Sequence, residues 1–211
     1  MFQNEKTIAE KLLQAGAVQL SPQQPFTWAS GWKSPIYCDN RKILSFPFIR
    51  DFIKSEMCNI IFEQFPDADL LAGVATAGIA WGAMVADQLK LPFLYVRPKP
   101  KEHGLGNQIE GYYESHQKVV IIEDLISTGK SSLEVAAVLK KAGLQVLGMV
   151  AIFTYRFNVA DEAFRQAGVR LITLTNYTTL IDIALQKKNI PQDAEQTLLQ
   201  WRENPALWQG M

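Results

Sequence analysis

The stretch VVIIEDLISTGKSS, residues 119–132, joins a short apolar run to a polar turn that opens a helix. Its first four residues are β-branched and apolar throughout, which is typical of a strand buried on both faces of a parallel sheet. The run is predicted to end at Glu123 and Asp124. Because ligands of open α/β sheets bind at the carboxyl ends of strands, these carboxylates are expected to accept hydrogen bonds from sugar hydroxyls.

The turn after the two carboxylates, residues 127–131, predicts an anion site. Gly129 permits close backbone approach, and the unpaired amides of the following helix's first turn point at any anion bound there. Two other interpretations compete. A Walker A loop needs an earlier glycine where this chain has Asp124, and a generic strand-turn-helix unit with polar capping residues also fits the segment taken alone.

Composition limits the class of protein. The 211 residues suffice for one domain with a sizeable core, and 21 basic residues balance 21 acidic ones. Balanced charge argues against a broad nucleic-acid-binding surface. No membrane span or secretory signal is apparent, so a cytoplasmic protein is expected. Two cysteines and two histidines supply neither a disulfide framework nor a zinc motif.

Strand and helix signals alternate along the chain, which predicts an α/β fold with a mainly parallel sheet flanked by helices. The strands are expected at 70–74, 93–96, 119–122, 146–154 and 170–174, and the helices at 4–13, 47–64, 78–89 and 128–142. In the second helix the apolar stripe predicted to face the core consists of Phe48, Phe52, Ile53, Met57, Ile60 and Ile61. The tail after Pro191 is expected to be helical at first, with Trp201 and Trp208 packing on the body.

The segment RPKPKEHGLGNQIEG, residues 97–111, interrupts this rhythm with basic side chains, glycines and prolines. It is predicted to be a surface loop, and a loop of this length in a compact domain is often a functional lid. Its cations would suit the growing charge of a pyrophosphate group. A solvated basic loop is the plainer alternative.

Three blocks resemble one family. The acidic pair and its turn look like the phosphoribosyl pyrophosphate signature of the type I phosphoribosyltransferases. Arg97, Lys101, His103 and Gly104 resemble the catalytic loop of the orotate phosphoribosyltransferases within that family. Residues 26–41, FTWASGWKSPIYCDNR, resemble their amino-terminal hood. The resemblance implies one domain over residues 1–211, with a hood at about 18–42 joined by parts of the C-terminal region and a core at about 43–190.

The resemblance also assigns residues. Lys101, Arg97 and His103 would be catalytic, and Tyr37, Ser127 and Arg156 would bind orotate. The phosphoribosyl pyrophosphate site would comprise Thr76, Arg97, Lys99, Lys101, His103, Glu123, Asp124, Leu125, Ile126, Ser127, Thr128, Gly129, Lys130 and Ser131.

The segment GVATAG, residues 73–78, resembles the family's pyrophosphate loop, where a cis peptide would fall near Ala75 and Thr76. Some members carry lysines where this chain has Ala29 and Ala77. We expect this chain to represent a subgroup that leaves the pyrophosphate charge to the basic loop and to magnesium.

The resemblance implies further properties of the reaction. Mg²⁺ would be held mainly through substrate phosphates and ribose, with no strong protein ligand. The substrates would be orotate and phosphoribosyl pyrophosphate, and the enzyme would be a homodimer whose 97–111 loop acts partly across the interface. Neither nucleic acid nor a membrane is an expected partner. Two alternatives share the fold, a non-catalytic phosphoribosyl pyrophosphate sensor and a purine phosphoribosyltransferase.

Overall fold

From residue 70 onward strands and helices mostly alternate, as the apolar periodicity predicts, but among the residues that the structure describes three strands follow one another between residues 93 and 126 and two helices end the chain. A computed structural model describes residues 4–28, 31–99 and 108–208, and Ala29, Lys101 and His103 lie outside these ranges. In chain order the elements are α1 (Glu5–Gln14), β1 (Val18–Leu20), β2 (Phe26–Thr27), β3 (Lys33–Ser34), β4 (Ile36–Cys38), a 3-10 helix (Asn40–Ser45), α2 (Pro47–Gln64), β5 (Leu70–Val74), α3 (Ala77–Leu89), β6 (Phe93–Val96), β7 (Ile109–Glu110), β8 (Lys118–Ile126), α4 (Lys130–Lys141), β9 (Gln145–Thr154), α5 (Asn158–Ala167), β10 (Leu171–Asn176), α6 (Tyr177–Gln186) and α7 (Ala194–Glu203). Within these ranges no helix has the length and apolar composition needed to cross a lipid bilayer.

In the described part of the chain, six strands form the central sheet in the order β10-β9-β8-β5-β6-β7. All neighbouring pairs are parallel except β6 and β7, which are antiparallel. The predicted α/β fold with a mainly parallel sheet is therefore confirmed. The chain leaves β5 toward β6 on one side and later returns to β8 on the other. The carboxyl ends of β5 and β8 thus border a topological switch point, the usual place for a ligand in such sheets.

The strand β8 is buried on both faces, as its unbroken apolar run predicts. Val120 and Ile122 pack in a core cluster with helices α1, α2, α3, α6 and α7. Val119 and Ile121 pack in a second cluster with helices α4 and α5. Because successive side chains of a strand point to opposite faces, one apolar run serves both layers of helices.

The apolar stripe of α2 differs from the prediction at one end. Ile53, Met57 and Ile61 are buried as expected, whereas Phe48 is 92% exposed and belongs to the surface. The cause is the helical repeat, since successive side chains of a helix point in directions about 100° apart. Ile49 takes the core position in the first turn, and its neighbour Phe48 is directed to solvent.

The hood consists of two small antiparallel pairs, β1 with β4 and β2 with β3. Helix α7 packs beneath it, as the tryptophans of the tail predict. The buried indole of Trp201 lies 5.8 Å from the ring of Trp28 and donates from Nε1 to the carbonyl oxygen of Lys33 at 3.0 Å. Trp28 in turn donates from Nε1 to the carbonyl oxygen of Ile36 at 3.3 Å. The C-terminal helix therefore supports the hood directly.

Two predicted boundaries are wrong. The strand expected to end at Glu123 and Asp124 continues to Ile126, because β9 stays paired with β8 as far as Ile126 opposite Thr154. The segment predicted as a loop over 97–111 contains β7, whose Ile109 pairs with Val96 of β6. A two-residue strand bounded by glycine and polar residues carries too little periodicity to be recognised in the sequence.

Close contact between α3 and the sheet depends on Gly78. A Cβ atom at this position would lie 2.5 Å from the carbonyl oxygen of Ile122, a backbone atom that cannot move aside alone. We therefore expect Gly78→Ala to lower the free energy of unfolding by about 1–3 kcal/mol in urea titrations. Gly82→Ala is the matched control, because the three atoms nearest its Cβ would all belong to the side-chain ring of Phe93, which can shift, and it should cost less. Equal losses in both variants would contradict this explanation.

Candidate active site

Predicted site residues meet at the switch point. Thr76 follows the carboxyl end of β5, and Glu123 and Asp124 lie in the last part of β8. Pairing between β5 and β8 ends with Gly73 opposite Ile122. Past that pair the ladder between the two strands ends, and the two carboxylates lie just beyond it on β8.

The two carboxylates have different surroundings. Glu123 is buried, and both of its oxygens accept hydrogen bonds from the chain itself. Oε1 accepts from the amide of Asp124 at 2.9 Å, and Oε2 accepts from the hydroxyl of Ser132 at 3.0 Å. Glu123 thereby ties the end of β8 to the first turn of α4. Asp124 is only partly buried, so its carboxylate is the more accessible of the two.

Burial disfavours the charged form of both acids. The pKa of Glu123 is raised well above its usual value, first by burial and then by the neighbouring charge of Asp124. The pKa of Asp124 is also raised by burial, although the guanidinium of Arg41 acts in the opposite direction. Cationic or hydroxyl groups of a ligand would relieve this unfavourable charge, since they supply the partners that water no longer provides.

The turn after β8 has the geometry expected of an anion site. Gly129 has a φ of 77° and directly precedes α4, whose first-turn amides have no carbonyl partner within the helix. A Cβ atom on Gly129 would lie 2.7 Å from the ring of Phe164, so α5 holds the turn from below. The position therefore requires glycine for both its backbone angle and its packing.

The remaining residues of the predicted phosphate run are not equivalent. Leu125 and Ile126 belong to β8, and Ile126 is completely buried, so its side chain cannot reach a ligand. Ser127 and Thr128 are partly exposed in the turn, and Lys130 and Ser131 are exposed on α4. The polar side chains of the turn are therefore accessible to a ligand, whereas Ile126 is not.

The peptide bond between Ala75 and Thr76 is cis, at the position that the family resemblance predicts. The amide of Ala75 donates to the carbonyl oxygen of Val96 at 3.0 Å, and the side chain of Thr76 is exposed. The loop is thus held against β6 through Ala75, while the side chain of Thr76 is accessible to solvent.

The two chain segments at the base of the predicted lid are hydrogen-bonded to each other. The amide of Arg97 donates to the carbonyl oxygen of Gln108 at 2.9 Å, and Nε2 of Gln108 donates back to the carbonyl oxygen of Arg97 at 2.7 Å. The guanidinium of Arg97 lies 3.6 Å from a carboxylate oxygen of Glu110. Lys99 is exposed beyond this base. The predicted catalytic residues Lys101 and His103 lie outside the described ranges.

The hood reaches the acidic pair through Asn40. This asparagine is completely buried, and its Nδ2 donates to the carbonyl oxygen of Asp124 at 2.7 Å. Its Oδ1 accepts from the thiol of Cys38 at 3.4 Å. Tyr37, predicted to contact orotate, precedes that cysteine and is 39% exposed, so its ring is accessible from solvent.

Arg156 lines cavities that no other predicted site residue lines. It follows β9 with a φ of 53°, its amide donates to the hydroxyl of Thr154 at 3.0 Å, and its side chain is exposed. The largest cleft that it borders, of about 630 Å³, is otherwise lined by residues of α1, α6, the strand β10 and Arg170 just before it. None of the other predicted site residues lines that cleft.

Sequence reasoning misses three hydrogen bonds that organise the site, although it predicts that Trp201 packs on the body. Ser132 holds Glu123, Asn40 holds Asp124, and Trp201 holds the hood. Ser132 has a signal in the sequence, because it lies within the turn that opens α4. The bonds of Asn40 and Trp201 span 84 and 168 positions of the chain, and no local pattern reveals contacts of that separation.

Comparisons with known proteins identify the class of protein to which this fold and this arrangement of residues belong. A family model described as a phosphoribosyl transferase domain matches residues 53–183, a range that contains the cis peptide, the acidic pair and the glycine turn.

Individual relatives narrow the class further. An orotate phosphoribosyltransferase of Bacteroides thetaiotaomicron is 54% identical over 204 residues, which cover 97% of this chain and 96% of the relative. One of Listeria innocua is 52% identical, covering 97% and 98%. The crystal structure of the orotate phosphoribosyltransferase from Aeropyrum pernix matches with a TM-score of 0.74 and 29% identity, covering 83% of this chain and 96% of that one. The chain belongs to the orotate phosphoribosyltransferase family.

Proposed function

We propose that this protein transfers the phosphoribosyl group of phosphoribosyl pyrophosphate to N1 of orotate, giving orotidine 5-phosphate and pyrophosphate in pyrimidine biosynthesis. The observation that carries the proposal is the arrangement at the switch point, where the acidic pair is joined to the amino terminus of α4 by the bond from Ser132 to Glu123. The near full-length similarity to enzymes named for orotate supports the choice of base. We also propose that the enzyme is cytoplasmic.

Different residues of the proposed site bind different parts of the two substrates. Asp124, with Glu123 beside it, accepts hydrogen bonds from the ribose hydroxyls. The amides and hydroxyls of residues 127–131 hold the 5-phosphate, because a helix amino terminus favours an anion. Thr76 and the backbone around it face the pyrophosphate. Tyr37 of the hood and Ser127 border the base, and Arg156 is assigned to the orotate carboxylate by the family resemblance.

The reaction exchanges one bond at the ribose for another. The bond from ribose C1 to a pyrophosphate oxygen breaks and its electron pair leaves with pyrophosphate, while N1 of orotate forms the new bond and releases its proton to solvent. The chain contributes orientation and stabilisation of the leaving charge, without a protein nucleophile. We assign that stabilisation to Lys101, Arg97 and His103, with Lys99 nearby. To contact pyrophosphate, Arg97 must either leave its contact with Glu110 or contact both groups at once.

The donors present fit magnesium as a substrate-bound cofactor. Among residues 4–28, 31–99 and 108–208, no three or more His, Cys, Asp or Glu side chains converge as a metal cage. Asp124 offers one partly exposed carboxylate, and Mg²⁺ commonly combines one or two carboxylates with substrate phosphates. Bound in that way, Mg²⁺ would neutralise pyrophosphate charge.

We further propose a homodimer in which the 97–111 loop serves the neighbouring subunit's site. The rings of Phe48 and Phe62 on α2, 92% and 76% exposed, are large apolar side chains available to an association surface. Sedimentation equilibrium measures the assembly directly, and a monomer at micromolar concentration would contradict the proposal.

One assay tests the activity and separates it from the alternatives. The protein is incubated with Mg²⁺ and phosphoribosyl pyrophosphate, and loss of orotate absorbance is compared with conversion of adenine, hypoxanthine and uracil. Turnover with orotate alone is the expected result. Turnover with a purine would indicate a purine transferase, and binding of phosphoribosyl pyrophosphate without turnover of any base would indicate a sensor.

Arg156→Ala is expected to raise the KM for orotate by about 10–100-fold, because a hydrogen bond to a charged group contributes about 1.5–3 kcal/mol. The KM for phosphoribosyl pyrophosphate should change much less. Steady-state kinetics with each substrate varied in turn measures both constants. Arg165→Ala is the matched control, since Arg165 is exposed and pairs with Glu162 on α5. Equal changes in the two KM values would contradict the carboxylate assignment.

A further inference from the structure

We propose that Asn40 is a positioning residue that links the hood over the base to the ribose-binding carboxylate. The proposal rests on the proposed function and adds a residue to it. Asn40 contacts neither substrate in this scheme. Asn40 holds the backbone of Asp124, so the position of Asp124 depends on the position of the hood.

The location of the hydrogen bond supports this role. β5 pairs with β8 only as far as Ile122, whereas Asp124 lies two residues beyond. At this point the side-chain amide of Asn40 bonds the carbonyl oxygen of Asp124, while the backbone amide of Asp124 is held by Glu123. The backbone of the residue that would bind ribose is therefore fixed from the hood on one side and from its own strand on the other.

The orientation of the Asn40 amide is determined by its neighbours. Nδ2 faces a carbonyl oxygen, and Oδ1 faces the thiol of Cys38. Burial raises the pKa of that thiol, so it keeps the proton that it donates. With the amide reversed, two carbonyl oxygens would face each other and the bond would be lost. Because Asn40 is fully buried, water cannot replace either partner.

The hood has a second anchor that does not involve β8. Trp201 of α7 bonds the carbonyl oxygen of Lys33 and packs against Trp28. This anchor shares no residue with the bond between Asn40 and Asp124, so each can be altered without replacing a member of the other. Variants of the two anchors therefore distinguish a specific effect of Asn40 on the ribose site from a general effect of loosening the hood.

The test compares Asn40→Leu and Asn40→Ser with Trp201→Phe. Leucine has a similar volume without polar atoms, and serine stays polar but is too short to reach Asp124. Calorimetry with phosphoribosyl pyrophosphate and Mg²⁺, and kinetics with orotate, are run on each variant below its melting temperature. We expect both Asn40 variants to weaken phosphoribosyl pyrophosphate binding about fivefold to tenfold and to raise the KM for orotate. Trp201→Phe should raise only the KM for orotate.

Two results would overturn the link. One is unchanged phosphoribosyl pyrophosphate affinity in whichever Asn40 variants melt cooperatively. The other is an equal loss of that affinity in Trp201→Phe, which would mean that any loosening of the hood has the same effect. The wild-type assay keeps the two proposals apart. Absence of orotate turnover in the wild type would refute the proposed function, whereas the calorimetric comparison would still test the link.

Discussion

Replacing Lys101 by alanine is expected to lower the turnover number by about 10²–10³-fold, the loss typical of removing one group that stabilises developing charge. The lysine belongs to a segment rich in glycine and proline between β6 and β7, and the family resemblance assigns it to the leaving pyrophosphate. Its contribution would grow as the bond to ribose breaks. Turnover should therefore fall far more than the affinity for phosphoribosyl pyrophosphate, as single-turnover and steady-state kinetics can measure.

Lys187→Ala is the control for loss of a lysine charge. Lys187 pairs with Glu10 at 2.7 Å on the surface between α6 and α1, away from the switch point. It should leave turnover unchanged, and both variants should melt close to the wild-type temperature. Near-normal turnover in Lys101→Ala would remove this residue from the proposed mechanism and leave Arg97 as the first candidate.

Asp124→Asn is expected to weaken phosphoribosyl pyrophosphate binding by about 10–100-fold, because hydrogen bonds to a charged acceptor contribute about 1.5–3 kcal/mol. The substitution keeps the shape of the side chain and removes the charge. Calorimetry in the presence of Mg²⁺ measures the change. Unchanged affinity would contradict the assignment of this carboxylate to the ribose hydroxyls.

The same variant should be at least as stable as the wild type at neutral pH. The folded-state pKa of Asp124 is raised by burial, so the wild type loses stability as pH rises from the unfolded value near 4 through the raised value. The asparagine side chain of the variant does not titrate, so its advantage in melting temperature should shrink as the pH is lowered toward about 4. Asp87→Asn, on the exposed end of α3, is the control for both measurements.

The parts of the fold that follow a repeating pattern can be predicted from the sequence. The run of residues 119–122 is apolar without alternation because both faces of β8 are buried, and that pattern is typical of a parallel α/β sheet. The position of the acidic pair at the switch point then follows from topology. The cis bond at Ala75 and Thr76 follows only from family resemblance, since neither residue type signals it.

Other features depend on contacts that local patterns do not contain. Phe48 is apolar and is predicted to belong to the core-facing stripe of α2. Its neighbour Ile49 takes the core position instead, and Phe48 is exposed to solvent. The end of β8 depends on how far β9 remains paired with it. Arg156 follows a strand as predicted, but the direction of its side chain depends on a left-handed backbone angle that the sequence does not signal.

The hydrogen bond from Trp201 to Lys33 also has a consequence for biosynthesis on the ribosome. The hairpin of β2 and β3 emerges early, but its supporting indole is added 168 residues later. Until α7 has been made, the rings of Trp28, Tyr155 and Tyr177 lack the side chain at their centre. The end of the molecule that carries the hood is therefore completed last, and a nascent chain released before α7 would expose these aromatic rings, a surface prone to aggregation.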